Sequence, residues 1–208
     1  MDAKKIIESI GAGIISVPDD FYLGIERYFQ NLSGSKSFRN GIEDVRFFSA
    51  LNKLKKHRYI IKEIAEIIID DALTYLPDSA LQKIKNKLLA GVSGILTRKG
   101  IQLAISSYIG VKLTDRIMYS ALIKRLIKAG SGITLSGVML YGIIARAGVS
   151  SRKLREKNHH LWGKLYVNDV EMLYFLFEKP LENFIKIGTA FRMGSDETKE
   201  LLSEIENL

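Results

Sequence analysis

The sequence predicts an all-α protein, a helical bundle built around a buried, apolar, glycine-containing helix. Three observations carry that expectation. Only three prolines occur in 208 residues, Pro18, Pro77 and Pro180, and they lie far apart. Apolar residues recur at three-to-four spacing over long stretches, the period of an amphipathic helix. No strand–helix–strand alternation runs through the chain, and 161–169 (LWGKLYVND) is its one strand candidate.

Apolar residues make up 47% of the chain and charged residues 26%, values of a folded globular protein rather than a disordered one. The length fits a single domain with a substantial core. That domain divides by charge into an acidic-to-neutral helical part (1–78), a basic apolar middle (79–165) and acidic C-terminal helices (166–208).

Taken in order, residues 5–30 read as one or two short helices around Pro18. Asp19 or Asp20 caps the second, whose apolar face holds Phe21, Leu23, Ile25, Tyr28 and Phe29. The run LSGSKSFRNG at 32–41 reads as a loop. An amphipathic helix follows over 42–57, with Ile42, Val45, Phe48, Leu51 and Leu54 recurring every third residue. The next spans 59–76 and places Ile60, Ile64, Ile67, Ile68 and Leu76 on one broad face; Pro77 ends it, and Asp78 or Ser79 caps its successor.

Helix is expected from Ser79 to Thr97, with Gly100 as its C-terminal stop. This middle holds three uncharged windows, 88–97, 100–111 and 129–145. The last is read as the central buried helix. Between the second and third lies KLTDRIMYSALIKRLIK, cationic and amphipathic, with Leu113, Ile117, Met118, Ala121, Leu122 and Ile123 on its apolar side. The stretch after Arg146 reads as a polar, cationic connection. Helices resume near Asp169, restart after Pro180 and finish in SDETKELLSEIENL, capped by Ser195. The bundle should hold roughly eight to ten helices.

Charge is distributed unevenly. Residues 79–165 contain sixteen Lys and Arg against two acids, Asp115 and Glu156, a net +14, so the remainder carries −6 of the chain's overall +8. A basic middle between acidic ends can fold against those ends or face an anionic partner.

Several chemistries are excluded or disfavoured. There is no cysteine, so disulfides, thiolate metal sites and thiol nucleophiles are impossible. Gly11-Ala12-Gly13 lacks the lysine and strand of a phosphate loop, and no metalloprotease or serine-hydrolase pattern occurs. His159 and His160, being adjacent, diverge from each other and stand at no zinc spacing from a carboxylate; they read as a polar surface turn. No cofactor, metal site or catalytic residue is expected. Asp2 and Glu8 interrupt the N-terminal apolar run, which argues against a cleaved signal peptide. A chain soluble when made is the expectation, possible secretion requiring another route. The bases alternate with apolar runs rather than gathering beside aromatics, which disfavours nucleic acid.

Membrane chemistry fits this middle best. Residues 129–145 form a seventeen-residue window without charge, close to the lower limit of about 17 for spanning a bilayer. Gly130, Gly132, Gly137, Val138, Leu140, Gly142 and Ile143 are the candidates for insertion. Gly132 with Ser136, Ala90 with Gly94 and Ser106 with Gly110 repeat a small-xxx-small step that permits close helix packing. Lys112, Arg116, Lys124, Arg125 and Lys128 are the candidates for docking on anionic headgroups.

On the candidate hairpin (100–123 with 129–145), the size and the lack of cysteine, the chain resembles the α-helical pore-forming domains of bacterial toxins. Those of the colicin type and of secreted membrane-depolarising effectors are the nearest in kind. The resemblance is one of class, covers roughly residues 79–165 and rests on no diagnostic motif. It implies a membrane-active toxin or effector that inserts from a soluble bundle. The charges at Lys112, Asp115, Arg116, Lys124, Arg125 and Lys128 interrupt the hairpin and favour interfacial or oligomeric insertion. The alternative is a soluble helical interaction module, such as an adaptor, immunity or chaperone-like protein with a cognate protein partner.

Overall fold

The apolar periodicity resolves into helices joined by short connections. The computed structural model describes residues 33–34, 36–91, 97–129 and 137–194, together with 23, 25–27, 30–31, 94 and 198. Its helices are α1 (Ser37–Lys56), α2 (Ile60–Thr74), α3 (Asp78–Leu88), α4 (Arg98–Tyr119), α5 (Ala121–Ala129), α6 (Gly137–Lys157), α7 (His159–Val167) and α8 (Glu182–Met193). A 3₁₀ segment, Glu171–Leu176, joins α7 to α8. The protein is an all-α bundle, and no strand occurs among the described residues.

The sequence IIKEIAEIIIDDALT makes α2 apolar over most of its circumference, and it is the helix most enclosed by others. Ile61, Ile64, Ile68, Ile69 and Leu73 are fully buried. α4 packs along one side of it, and α8 and α7 along others. The Ser106–Gly110 step lets α4 approach closely: a Cβ on Gly110 would stand 3.3 Å from the Cγ atoms of Lys62 and Glu66. Of 129–145, Gly142, Ile143, Ile144 and Ala145 are buried, while 130–136 lie outside the described residues.

Several boundaries differ from the sequence reading, each for a local reason. α1 begins at Ser37, inside the expected loop. Its buried stripe is Phe47, Ala50, Leu51 and Leu54, whereas Ile42, Val45 and Phe48 are exposed. A strict three-residue step loses about 60° per step on a 3.6-residue helix, so the predicted row winds off the core face. α3 has Pro77 at its N-cap position and no side-chain cap; it stops at Leu88 rather than Thr97. Gly91 and Gly94 follow with φ of +93° and +91°, left-handed backbone that a helix cannot contain. Gly100 ends no helix. It sits in the first turn of α4, where its N–H donates to the Thr97 hydroxyl 3.1 Å away.

The expected connection after Arg146 is helical, the second half of α6. Ala147, Ser150, Ser151 and Leu154 face the core there, so the cationic residues occupy only its outer side. The strand candidate at 161–169 is instead mostly α7, started by Asn158, whose Oδ1 accepts from the Leu161 N–H at 3.0 Å. Leu161 and Leu165, four apart, are its buried side. The C-terminal element capped by Ser195 lies outside the described residues, as do Phe21, Tyr28 and Phe29.

Part of the basic middle folds against the acidic N-terminal third. Arg98 donates to the carbonyls of Thr74 and Leu76, at 2.8 and 2.7 Å, and pairs with Asp78. It thereby satisfies carbonyls left open at the end of α2. Lys99 pairs with Asp70 at 3.0 Å, and Arg152 of α6 pairs with Glu43 of α1.

Candidate cationic docking face

The corner between α4 and α5 presents most of the predicted docking bases. Ser120 makes the corner: at ψ 145° it leaves the helical region, and its hydroxyl donates to the Ile117 carbonyl at 2.6 Å. The same oxygen accepts from the Ile123 N–H at 3.3 Å, which caps α5. The sequence ALIKRLIKA then turns Ile123 and Leu126 fully inward and Lys124 and Arg125 outward.

Tyr119 stands at the corner, 74% exposed. The Lys124 ammonium lies 5.7 Å from the centre of its ring, and the Lys112 ammonium lies 6.0 Å from that of Tyr108, within cation–π range. Val111 and Leu103 add exposed apolar surface along α4. Asp115 is an exposed carboxylate on the same helix.

The other predicted site residues divide. Arg116 is half-buried and engaged within the protein. Lys128 lies on α5, but its side chain is outside the described set, as are those of Gly137 and Val138 at the start of α6. Gly130 and Gly132 are also outside it. Leu140 is half-buried, and Gly142 and Ile143 are buried in the core. The apolar side expected to meet lipid is turned inward: Leu113, Ile117 and Ile123 are core residues, and the one member fully turned outward is Ala121. No described helix is long and apolar enough to cross a membrane.

The histidine pair forms no surface turn. His159 stacks on Trp162 at 5.5 Å, and Trp162 on Tyr166 at 4.5 Å, with the Arg155 and Arg46 guanidiniums over the Trp162 and Tyr166 rings. Arg46 also donates to the buried Glu171 carboxylate, and that hydrogen bond raises its pKa. His160 reaches the other way, its Nδ1 2.9 Å from Asp71 Oδ1, where the Lys164 ammonium also arrives at 2.9 Å. Asp71 is 3% exposed, a carboxylate sunk into the apolar side of α2. Arg192 of α8 donates to Asn158 beside it.

This constellation joins α2, α7 and α8, and a sequence signal for it existed. Asp71 falls three residues after Ile68 and seven after Ile64, in phase with the buried stripe. A carboxylate in that phase requires partners. Among the described residues no group of three His, Asp or Glu side chains is placed to hold a metal ion. No protein-family model, curated protein or solved structure matches the chain.

Proposed function

We propose that this protein acts at anionic membrane surfaces, docking through the α4–α5 corner. The observation that carries the reading is the exposed Tyr119 ring with Lys124 against it and Lys112 and Arg125 on the same two outward faces. Amphipathic tyrosines sit at the headgroup level of bilayers, and lysine stems lie along apolar surface while their ammonium groups stay in water. Each base near an anionic surface contributes about 1 kcal/mol. Three give about 3 kcal/mol, roughly a hundredfold preference over a neutral bilayer. Asp115 works against this, so the attachment is reversible and sensitive to salt.

Pore formation, and with it the toxin or effector role, is the finer form of this proposal. Sedimentation with vesicles containing phosphatidylserine tests the coarse form, and release of a trapped dye tests the finer one. Binding that weakens in high salt supports docking; binding without release confines the protein to the surface. Absence of binding at low salt, at neutral and mildly acidic pH, rejects the membrane reading.

A second reading has its own observation. Phe38, Ile42 and Val45 form an exposed apolar ridge on α1, spaced by four and three residues and opposite the buried Phe47. A helical interaction module that meets a protein partner along such a ridge is what remains if vesicles fail to bind.

A further inference from the structure

The α1–α2 connection is a second cationic corner. His57 leaves the helical region at ψ 94°, while its N–H still donates to the Lys53 carbonyl at 2.8 Å. Arg58 and Tyr59 complete the turn, and the Ile60 N–H donates to the His57 carbonyl at 3.1 Å as α2 starts. Lys56, His57 and Arg58 are exposed and Lys55 is half-buried. Tyr59 is 53% exposed, its ring 5.2 Å from that of His57. The side chains of Lys55, Lys56 and Arg58 make no ion pair or hydrogen bond among the described residues. Glu63 is an exposed carboxylate beside Lys56 and His57. Asp169 and Glu66 are taken by Lys53 and Lys62.

This corner and the α4–α5 corner lie at one end of the bundle. α4 runs antiparallel to α2: Gln102 donates to the Leu73 carbonyl at 3.2 Å, and Gly110 lies over Lys62 and Glu66. At about 1.5 Å per residue, Tyr59 stands roughly 7 Å beyond the level of Gly110, and Tyr119 roughly 13 Å beyond it in the same direction. The two tyrosines therefore differ in level by about 6 Å, comparable to one headgroup layer, about 5–8 Å thick. α5 also touches α1. At the opposite end of the α2–α4 pair, Arg98 and Lys99 are instead matched with Asp78 and Asp70.

We infer that the α1–α2 corner is the second half of the docking face, so that the bundle meets an anionic bilayer end-on. The inference rests on the membrane reading proposed above and adds the orientation to it. Lys55, Lys56 and Arg58 join Lys124 and Arg125, five bases against Glu63 and Asp115. Tyr59 beside His57 and Tyr119 beside Lys124 are two amphipathic rings placed for the headgroup level. A flat approach would instead lay α4 on the surface along the exposed Leu103 and Val111. Leu103 stands about 24 Å behind Tyr119 along α4, so an end-on bundle holds it clear of the headgroups.

Vesicle sedimentation and fluorescence quenching test the orientation, with phosphatidylserine–phosphatidylcholine vesicles that carry a nitroxide on a headgroup. Salt is held at about 0.1 M, where the attraction reaches only about 10 Å. Lys55→Gln/Lys56→Gln/Arg58→Gln should weaken binding at least about tenfold without changing the melting temperature. Lys99→Gln, about 30 Å from Tyr119 along α4, should stay within about twofold. Tyr59→Trp should gain a tryptophan signal that the nitroxide quenches. Leu103→Trp should be quenched no more than the wild type, whose one tryptophan is Trp162. Trp162 lies two residues from His160, which reaches Asp71 toward the far end of α2. Full affinity in the triple variant, beside a weakened Lys124→Glu/Arg125→Glu, overturns the inference and leaves the membrane reading standing. Quenching of Leu103→Trp without quenching of Tyr59→Trp also overturns it, because α4 then lies flat. No vesicle binding by the wild type, or binding of a DNA duplex in place of vesicles, removes the membrane reading and this inference together.

Discussion

Gly188 of α8 lies so close to Ala72 of α2 that a Cβ built on it would stand 2.5 Å from the Ala72 Cα. The obstructing atom is backbone, so no side chain can turn aside. Gly188→Ala should therefore lower stability by about 1–3 kcal/mol in urea unfolding, the range of an overpacked core. Gly163 in α7 is the control, because nothing lies within 4 Å of its Cβ position. Gly163→Ala should stabilise by about 0.5–1 kcal/mol through helix propensity alone. Equal effects at the two positions would mean that α2 and α8 do not cross there.

Asp70 and Asp71 are adjacent in sequence and opposite in environment. Asp70 pairs with the exposed Lys99, whereas Asp71 is buried between His160 and Lys164. Asp70→Ala should change stability by less than about 1 kcal/mol. Asp71→Ala removes the charge-assisted bonds made by a buried carboxylate and should cost about 1.5–3 kcal/mol. Similar melting curves for the two variants would place His160 and Lys164 elsewhere.

The helical character of the chain was legible because proline scarcity and apolar period act locally. Which side of each helix faces inward was less so. In α1 the aromatic pair Phe47-Phe48 offers two candidate phases, and the packing of α1 against the 3₁₀ segment, α6, α2 and α5 selects Phe47. The excess of bases in 79–165 was visible in composition, but the break at Ser120 that divides them between α4 and α5 was not, nor which of them the fold itself uses. The burial of Asp71 could be read from its phase with Ile64 and Ile68, but its partners His160 and Lys164 could not, because they lie about ninety residues away in sequence. Phe47→Ala should cost about 3–5 kcal/mol in denaturant unfolding. Val45→Ala, at an exposed position, should stay within about 0.5 kcal/mol; the reverse order would restore the three-residue row as the core face.

Burial pushes the Tyr174 phenol well above its ordinary pKa of 10.0, with Glu178 and Glu182 adding to the shift. A raised folded-state value means the neutral phenol is preferred in the fold. Its contribution is complete below about pH 10, the unfolded value, and is lost as the pH rises beyond it. Between pH 9 and 11, both approximate limits, wild-type stability should fall more steeply than that of Tyr174→Phe. The two proteins should differ little near pH 7, and parallel alkaline curves would exclude Tyr174 as the source.

The bases of residues 79–165 fall into two groups that one substitution type separates. Arg98 closes the end of α2 through two carbonyls, so its charge is used within the fold. Arg98→Glu should lower stability by about 2 kcal/mol, two hydrogen bonds' worth, and leave vesicle affinity per folded molecule within about twofold. Lys124 and Arg125 are exposed on α5, away from its buried Ile123 and Leu126. Lys124→Glu/Arg125→Glu should leave stability within about 0.5 kcal/mol and weaken binding to phosphatidylserine vesicles at least about tenfold at low salt. That difference should shrink as added salt shortens the range of the attraction to about 3 Å at 1 M. If the α5 reversals unfold the protein instead, these bases belong to the fold. If they leave both stability and binding intact, the docking surface is not the α4–α5 corner, whatever the charge of the middle segment as a whole.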